Sequence, residues 1–346
     1  MKVFITGATG FVGSYAVADA LAAGHQVAAL VRPASANPLA SIADHPRLSL
    51  VRADLRDRRS LVGALDDVDA VIHLAAAKAG DFSTQFAGTV LTTENLLTAM
   101  TDSPVKRLVA VSTFSVYDYT RLRAGSELDE SSPIERSASR RDEYARTKLI
   151  QETLYREAST DFEVAILRPG MIYGRDNLWH SLLGSPLGPR FLKVGGRSIL
   201  PMTYVENCVH AMTLALSGEA AVGATLNIVD DNLPSQAEYI RALQPYYSIP
   251  RSIAVPWPAL RSFARGIAYL NGRLLDGRGK FPGIVVPERL DARFKPFRYP
   301  NRAAKKALGW TPRYSLDQAF ARSVSGVDLI AETAFAKTAR ADGAAA

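Results

Sequence analysis

Thr6-Gly7-Ala8-Thr9-Gly10-Phe11-Val12-Gly13 follows directly on the apolar run Lys2-Val3-Phe4-Ile5 and opens a helical pattern that continues to Ala23. Strand, glycine-rich turn and helix in that order turn backbone N–H groups and the positive end of a helix dipole toward one point, which suits a diphosphate. Glycines at 7, 10 and 13 permit a tight turn, close approach of backbone to ligand, and close packing of helix on strand. The spacing is GxxGxxG, not GxGxxG. A glycine-rich turn without function is the competing reading, and the strand before it and helix after it weigh against that.

Further strand-like runs follow at Gln26–Val31, Leu48–Arg52, Ala70–Leu74, Arg107–Val111 and Val164–Leu167. Helical patterns lie between them at Arg58–Leu65, Ser83–Met100 and Glu143–Ala158. Strands alternating with helices imply right-handed crossovers and a parallel sheet covered on both faces. The expected fold class is therefore α/β, a doubly wound (Rossmann) parallel sheet with its ligand beyond the carboxyl ends of the strands. After Pro169 the pattern is irregular, with helices expected at Val205–Leu216, Gln236–Tyr246 and Leu316–Ala336, a short strand at Thr225–Val229, and an apolar, arginine-punctuated stretch at Ile253–Leu275. This material predicts a smaller, mainly helical C-terminal substrate lid. The expected division is a nucleotide-binding domain over 1–170, a lid over 171–336 from which about 199–230 return to the first domain, and a fraying tail at 337–346.

The 346 residues suffice for a full core, and 47% hydrophobic with 22% charged residues is ordinary for a globular chain. The net charge of +7 is spread thinly, with doublets such as Arg140-Arg141 and Lys305-Lys306. That favours an anionic small-molecule ligand over nucleic acid. A single cysteine, Cys208, allows no internal disulfide and suits a reducing compartment. No signal-peptide pattern opens the chain, and Arg261, Arg265 and Arg273 interrupt the apolar late stretch, so a cytoplasmic protein without a membrane span is expected.

Asp142-Glu143-Tyr144-Ala145-Arg146-Thr147-Lys148-Leu149-Ile150-Gln151 reads as the first turns of a helix capped by Asp142. Tyr144 and Lys148 are four apart and share a face. An ammonium beside a phenol favours the phenolate, and bringing a tyrosine from about pH 10 to neutrality needs roughly 4 kcal/mol. The competing reading is a surface helix with a Tyr and a Lys at a chance spacing.

Taken together, the glycine spacing, the Tyr144-x-x-x-Lys148 pair and the order of elements resemble the extended short-chain dehydrogenase/reductase family, also called the NAD-dependent epimerase/dehydratase family. Other stretches fall in the family's order: Asp54-Leu55, Leu74-Ala75-Ala76-Ala77, Ser112-Thr113-Phe114-Ser115-Val116-Tyr117, Arg168-Pro169-Gly170, Thr203-Tyr204-Val205-Glu206-Asn207 and Leu308-Gly309-Trp310-Thr311-Pro312. The resemblance implies a catalytic set of Thr113, Tyr144 and Lys148, with Ser112 competing for the hydroxyl role. It implies a cofactor cradle of Gly7, Thr9, Gly10, Phe11, Val12, Gly13, Arg32, Asp54, Leu55, Leu74, Ala75, Ala76, Ser112, Tyr144, Lys148 and Pro169. In the family Asp54 meets adenine, the small residues after Leu74 admit the ribose, and Pro169 packs on nicotinamide. A homodimer through Ser83–Met100 and Glu143–Ala158 is a family expectation.

Departures narrow the chemistry. Relatives that eliminate water place an acid after the catalytic hydroxyl, where this chain has Phe114 and Ser115, so a 4,6-dehydratase is not expected. Asp118 stands where the family has Gly, and Thr89 where it has an active-site Asn. At the end of the second strand Val31 cannot hold a ribose diol as an Asp would, while Arg32 can pair with a 2′-phosphate or stack on adenine. NADP is favoured over NAD. His25, His73, His180 and Cys208 show no metal spacing, and His73 reads as a packed core residue.

For the substrate, Arg197 and Arg293 lie where sugar-nucleotide relatives carry diphosphate-binding arginines, which makes a nucleotide-sugar the leading expectation. The apolar stretch Ile253–Leu275 and the run Tyr204–His210 are instead similar to the 3β-hydroxysteroid dehydrogenase branch, whose substrates are hydrophobic alcohols. A reading of another class is a non-catalytic, cofactor-holding regulatory protein, against which the intact Thr113, Tyr144 and Lys148 argue.

Overall fold

The computed structural model describes residues 1–36, 39–136, 141–276, 278–279 and 281–334. Arg140, residues 335–336 of the expected closing helix and the tail at 337–346 lie outside the described residues. Twelve strands occur in the order β1 (Lys2–Thr6), β2 (Gln26–Val31), β3 (Leu48–Arg52), β4 (Ala70–His73), β5 (Arg107–Val111), β6 (Glu163–Pro169), β7 (Met171–Tyr173), β8 (Ser185–Leu187), β9 (Arg190–Val194), β10 (Met202–Tyr204), β11 (Thr225–Ile228) and β12 (Ser252–Val255) among the described residues. The helices are α1 (Phe11–Ala22), α2 (Phe82–Phe86), α3 (Thr92–Thr101), α4 (Glu143–Ala158), α5 (Val205–Ala215), α6 (Gln236–Leu243), α7 (Trp257–Leu274), α8 (Pro287–Phe294), α9 (Arg302–Leu308) and α10 (Leu316–Ser325).

Seven strands form one parallel sheet in the order β11-β6-β5-β4-β1-β2-β3. Continuous apolar runs such as Val3-Phe4-Ile5 and Leu108-Val109-Ala110 are fully buried because helices cover both faces. The strand order reverses between β1 and β4, so the connections leaving these two strands diverge and open a crevice at their carboxyl ends. This is the doubly wound sheet that the sequence predicts.

Three expected helices come out differently, each for a local reason. The segment expected as one helix over 83–100 is α2 and α3 joined by a π turn at Ala87–Leu91. Thr92 and Thr93 hydroxyls both donate to the Thr89 carbonyl (3.0 and 2.6 Å), and such side-chain bonds compete with the helical ladder. At 58–65 there is only a 3-10 turn, Arg58–Leu61, capped by Asp57, and Gly63 at φ 75° leads the chain away. The closing helix stops at Ser325 because Gly326 takes φ 73°; helix resumes over 329–334.

Much of the C-terminal half packs onto the sheet unit. β11 pairs with β6, α5 lies against α1, and α9 contacts β11 and α5. Trp310 Nε1 donates to the Asn207 carbonyl (3.0 Å), and Asn207 Oδ1 accepts from Arg313 and Tyr314 backbone N–H (2.8 and 3.0 Å). A separate small core, Leu192, Val194, Trp257, Leu260, Ala264, Leu290 and Phe294, joins β9, α7 and α8. Among the described residues no helix is long and apolar enough to cross a membrane.

Candidate active site

The turn after β1 has the shape its glycines predict. Gly7 sits at φ 66°, and a Cβ there would come within 3.0 Å of the Ala75 nitrogen, so the turn and the end of β4 touch backbone to backbone. At Gly13 a Cβ would lie 2.0 Å from the Gly7 carbonyl oxygen, which leaves no room for any side chain. Gly10 is the N-cap of α1 and supplies no side-chain cap. The first N–H groups of the helix are thus left for an anion at a point where Thr9 and Gly10 are exposed. These features fit the diphosphate of a dinucleotide. Leu74, Ala75 and Ala76 line the opposite lip half-buried, and Pro169 closes β6 buried. Asp54 ends β3 and accepts both Nε (3.0 Å) and Nη2 (2.6 Å) of Arg56, and this guanidinium holds its carboxyl below the usual range. Arg32 is exposed beyond β2, near enough to Asp54 to lower it further.

The catalytic candidates meet where β5 ends against α4. Asp142 caps α4 by accepting the Ala145 N–H (2.8 Å), which sets the first turn and with it Tyr144. Thr113, extended at φ −165°, lies in hydrogen-bonding reach of the Tyr144 phenol. Lys148, 3% exposed, points back into the fold: Nζ donates to the Val111 carbonyl (2.7 Å) and to Gln151 Oε1. Burial pushes this amine down to about 7, partly opposed by Glu152 and reinforced by Lys78. Burial holds Tyr144 above the ordinary tyrosine value, Thr113 opposes that, and Asp142 adds to it. With its amine turned toward Val111 and Gln151, Lys148 does not by itself acidify the phenol.

A directed hydrogen-bond chain fixes that amine. Thr6 Oγ1 accepts the Leu74 and Ala75 N–H groups (3.1 and 3.2 Å), so its own proton goes to His73 Nδ1 at 2.6 Å. His73 Nε2 then donates to Thr93 Oγ1 (3.0 Å), whose proton goes to Thr89 O. Gln151 Nε2 donates to the same Thr93 oxygen (2.8 Å), which leaves Gln151 Oε1 to accept from Lys148. Burial, helped by Lys148, keeps His73 neutral with a pKa of about 3. His73 is thus a core residue with an ordering role. Replacing Gln151 by Met is expected to lower kcat roughly tenfold at pH 8, the worth of a hydrogen bond to a charged group. The loss should shrink toward pH 6, because the amine without its acceptor holds a proton only at lower pH. A pH profile of kcat for Gln151→Met parallel to wild type would contradict this.

Behind the site lies a second buried network. Ser112 Oγ donates to Glu152 Oε2 (2.5 Å), and Arg168 clasps the same carboxylate through Nε (3.0 Å) and Nη2 (2.5 Å). Arg168 Nη1 reaches Tyr117 Oη (2.9 Å), which donates to Asn227 Oδ1 (2.6 Å). Ser112 is therefore committed to structure, and Thr113 is the hydroxyl left beside the phenol. Asp118, where glycine was expected, needs no left-handed backbone: its carboxylate accepts Thr120 N–H and Oγ1 (3.0 and 2.6 Å) and ties its own turn. Thr89 accepts the Ala77 N–H (3.0 Å), so it braces the β4 lip. Phe114 packs edge-on to Tyr117 and beside Tyr299, in an aromatic cluster with no acid at its place.

Of the substrate candidates, Arg197 is exposed on the turn after β9. Arg293 is occupied: its guanidinium donates to Ser185 Oγ (3.1 Å), the Gly184 carbonyl (2.8 Å) and the Ser181 carbonyl. His180 is buried against Tyr239, ring centroids 4.9 Å apart, and burial takes it to about 3, so it is a core residue. Among the described residues no group of His, Cys, Asp or Glu can hold a metal ion. Sequence reasoning missed Gln151, Glu152 and Lys78. The first two stand three and four residues after Lys148 and were within reach of helical spacing; nothing marks Lys78.

The doubly wound sheet and glycine-rich turn are those of a dinucleotide-binding fold. Residues 3–228 match the NAD dependent epimerase/dehydratase family, and the chain belongs to it. It is 28% identical over 342 residues, 92% of this chain and 88% of the relative, to a 3 beta-hydroxysteroid dehydrogenase/Delta 5-->4-isomerase of Mycobacterium tuberculosis. A 3-diazoavenalumate denitrifying reductase of a Streptomyces species is 27% identical over 333 residues, 91% of this chain and 97% of that one. Among solved structures, a UDP-glucose-4-epimerase of Stenotrophomonas maltophila with bound NAD superposes with a TM-score of 0.70 at 21% identity, covering 99% of both chains. That likeness establishes the fold.

Proposed function

We propose that this chain is an NAD(P)-dependent oxidoreductase that interconverts a secondary alcohol and a ketone on an apolar substrate, as its 3β-hydroxysteroid dehydrogenase relative does by name. The observation that carries the reaction type is the convergence of Thr113 and Tyr144 at the end of β5, with Lys148 one turn behind them. A bound nicotinamide dinucleotide supplies or accepts the hydride. Tyr144 holds the proton that the substrate oxygen gains or loses, and Thr113 orients that oxygen by hydrogen bonding. Because burial keeps the phenol protonated in the chain alone, Tyr144 stands ready as the acid for ketone reduction. Lys148 would bind the nicotinamide ribose, and the low value its burial imposes makes it responsive to any charge placed nearby.

The engagement of Arg293 supports the apolar substrate class. A nucleotide-sugar needs free cations for its diphosphate, and Arg293 is spent on the 181–185 loop. The packing of Phe114 likewise speaks against a 4,6-dehydratase. The expected result is oxidation or reduction of sterol-like alcohols and ketones with no turnover of UDP- or dTDP-sugars; turnover confined to the sugars would reverse the assignment. NADP is the preferred coenzyme on the strength of Arg32. Arg32→Glu is expected to weaken NADPH binding by about tenfold or more and leave NADH nearly unchanged, as removal of a charge-assisted phosphate contact requires. Equal loss for both coenzymes would place Arg32 on the adenine instead.

A further inference from the structure

The outer helix of the lid, α7, carries an apolar face that no described residue covers. Its inner face packs Trp257, Leu260 and Ala264 into the small lid core. On the outside, Phe263, Ile267, Leu270 and Leu274 recur at helical spacing; Phe263, Leu270 and Leu274 are 61%, 53% and 72% exposed. Leu275 and Phe281, also exposed, lengthen the stripe past the helix end. Arg265, Arg273 and Arg278 are exposed on the same element and the chain that follows it, whereas Arg261 turns inward to Asp291 (3.0 Å). Charge is concentrated here. Residues 251–281 hold six basic side chains and one acid, Asp276, so this short segment accounts for most of the net +7 of the whole chain.

We propose that α7 is an in-plane docking helix for the surface of an anionic lipid bilayer, with Phe263, Leu270 and Leu274 seated among the acyl chains, Arg273 on the flank of that stripe and Arg278 past the helix end reaching the headgroups, and Arg265 on the far, water-facing side. An exposed apolar stripe beside a cationic face on a helix too charged to span a membrane is the pattern of an interfacial helix. Charge argues against a second copy. A two-fold contact through this face would bring together two copies of a segment with six basic side chains and one acid, which repels, whereas anionic headgroups attract it. Docked in this way, the lid would face the phase in which an apolar alcohol resides; that consequence rests on the proposed reaction, but docking itself does not.

The test is sedimentation of the full chain with phosphatidylcholine vesicles and with phosphatidylcholine–phosphatidylglycerol vesicles. Binding is expected to the anionic vesicles, and to fall about tenfold or more on pure phosphatidylcholine or in high salt. The triple variant Phe263→Ser, Leu270→Ser, Leu274→Ser should lose binding by a similar factor while its circular dichroism and coenzyme affinity stay those of wild type, because these side chains are exposed. Replacing Arg273 and Arg278 by Gln should abolish only the preference for anionic lipid. Absence of wild-type binding, or equal binding by the triple-Ser variant, overturns the proposal. So does a wild-type oligomer that the triple-Ser variant dissolves without any vesicle association, which would assign the stripe to a second copy. Failure of the sterol-like substrates to react leaves the vesicle result unaffected.

Discussion

Tyr144→Phe is expected to lower kcat by about 10²–10⁴-fold, the usual worth of a positioned general acid–base group. The phenol lies in reach of Thr113 at the carboxyl edge of β5, and phenylalanine keeps its ring and loses only the hydroxyl. Coenzyme affinity should change little, because the cradle around Gly7, Gly10 and Gly13 and the amine of Lys148 remain in place. Stability should change by no more than about 1 kcal/mol, since only one hydroxyl is removed from a half-buried side chain. Turnover measured by reduced-coenzyme absorbance, together with coenzyme Kd by fluorescence, checks both halves. A variant within a few-fold of wild-type kcat would remove the phenol from the mechanism. One with weakened coenzyme binding would make Tyr144 a cofactor ligand alone.

Glu152→Ala is expected to have the largest effect on stability, a loss of roughly 3–5 kcal/mol, because it leaves Arg168 as an unpaired charge in the interior. Arg168 is 1% exposed and has no route to water, and Ser112 loses its acceptor in the same step. Burial opposes ionisation of Glu152, but Arg168, Ser112 and Arg156 outweigh it and hold the carboxyl below the ordinary glutamate value. The sign follows from linkage: a carboxyl lowered in the folded state stabilises above its unfolded value, and that contribution disappears as pH falls through the folded value. Wild type should therefore lose stability on acidification below about pH 4.5, the range of free glutamate, more steeply than Glu152→Gln. Urea unfolding at neutral and acidic pH measures this. Equal pH slopes for the two proteins would mean that Glu152 is not ionised in the fold. Lys148 should also fall further, since Glu152 is the group that opposes its desolvation.

Much of the fold was legible because each signal was local. The runs Val27–Val31 and Leu108–Val111 are apolar throughout, as strands buried on both faces are, and Leu48–Arg52 at the sheet's edge keeps the same β pattern with a polar Ser49 and Arg52. Asp142 before an uninterrupted helical run placed α4 to the residue. Legibility failed where side-chain hydrogen bonds decide, whether to near or to distant groups. No local pattern announces that Thr92 and Thr93 will divert the Thr89 carbonyl and convert one helix into two around a π turn. Nor does any pattern say that Arg293 donates to the 181–185 loop, more than a hundred residues away in sequence.

By itself the sequence determined the doubly wound sheet, the glycine turn and the pairing of Tyr144 with Lys148, since each depends on spacing along one or two elements. Only the tertiary structure decided the electrostatics of those residues. Desolvation depends on what the rest of the chain packs around a group, and here, in the chain by itself, it lifts the phenol and depresses the amine, which spacing does not reveal. The same physics applies in reverse at α7: whether an apolar stripe is core or surface depends on its neighbours, and folding left this one facing outward.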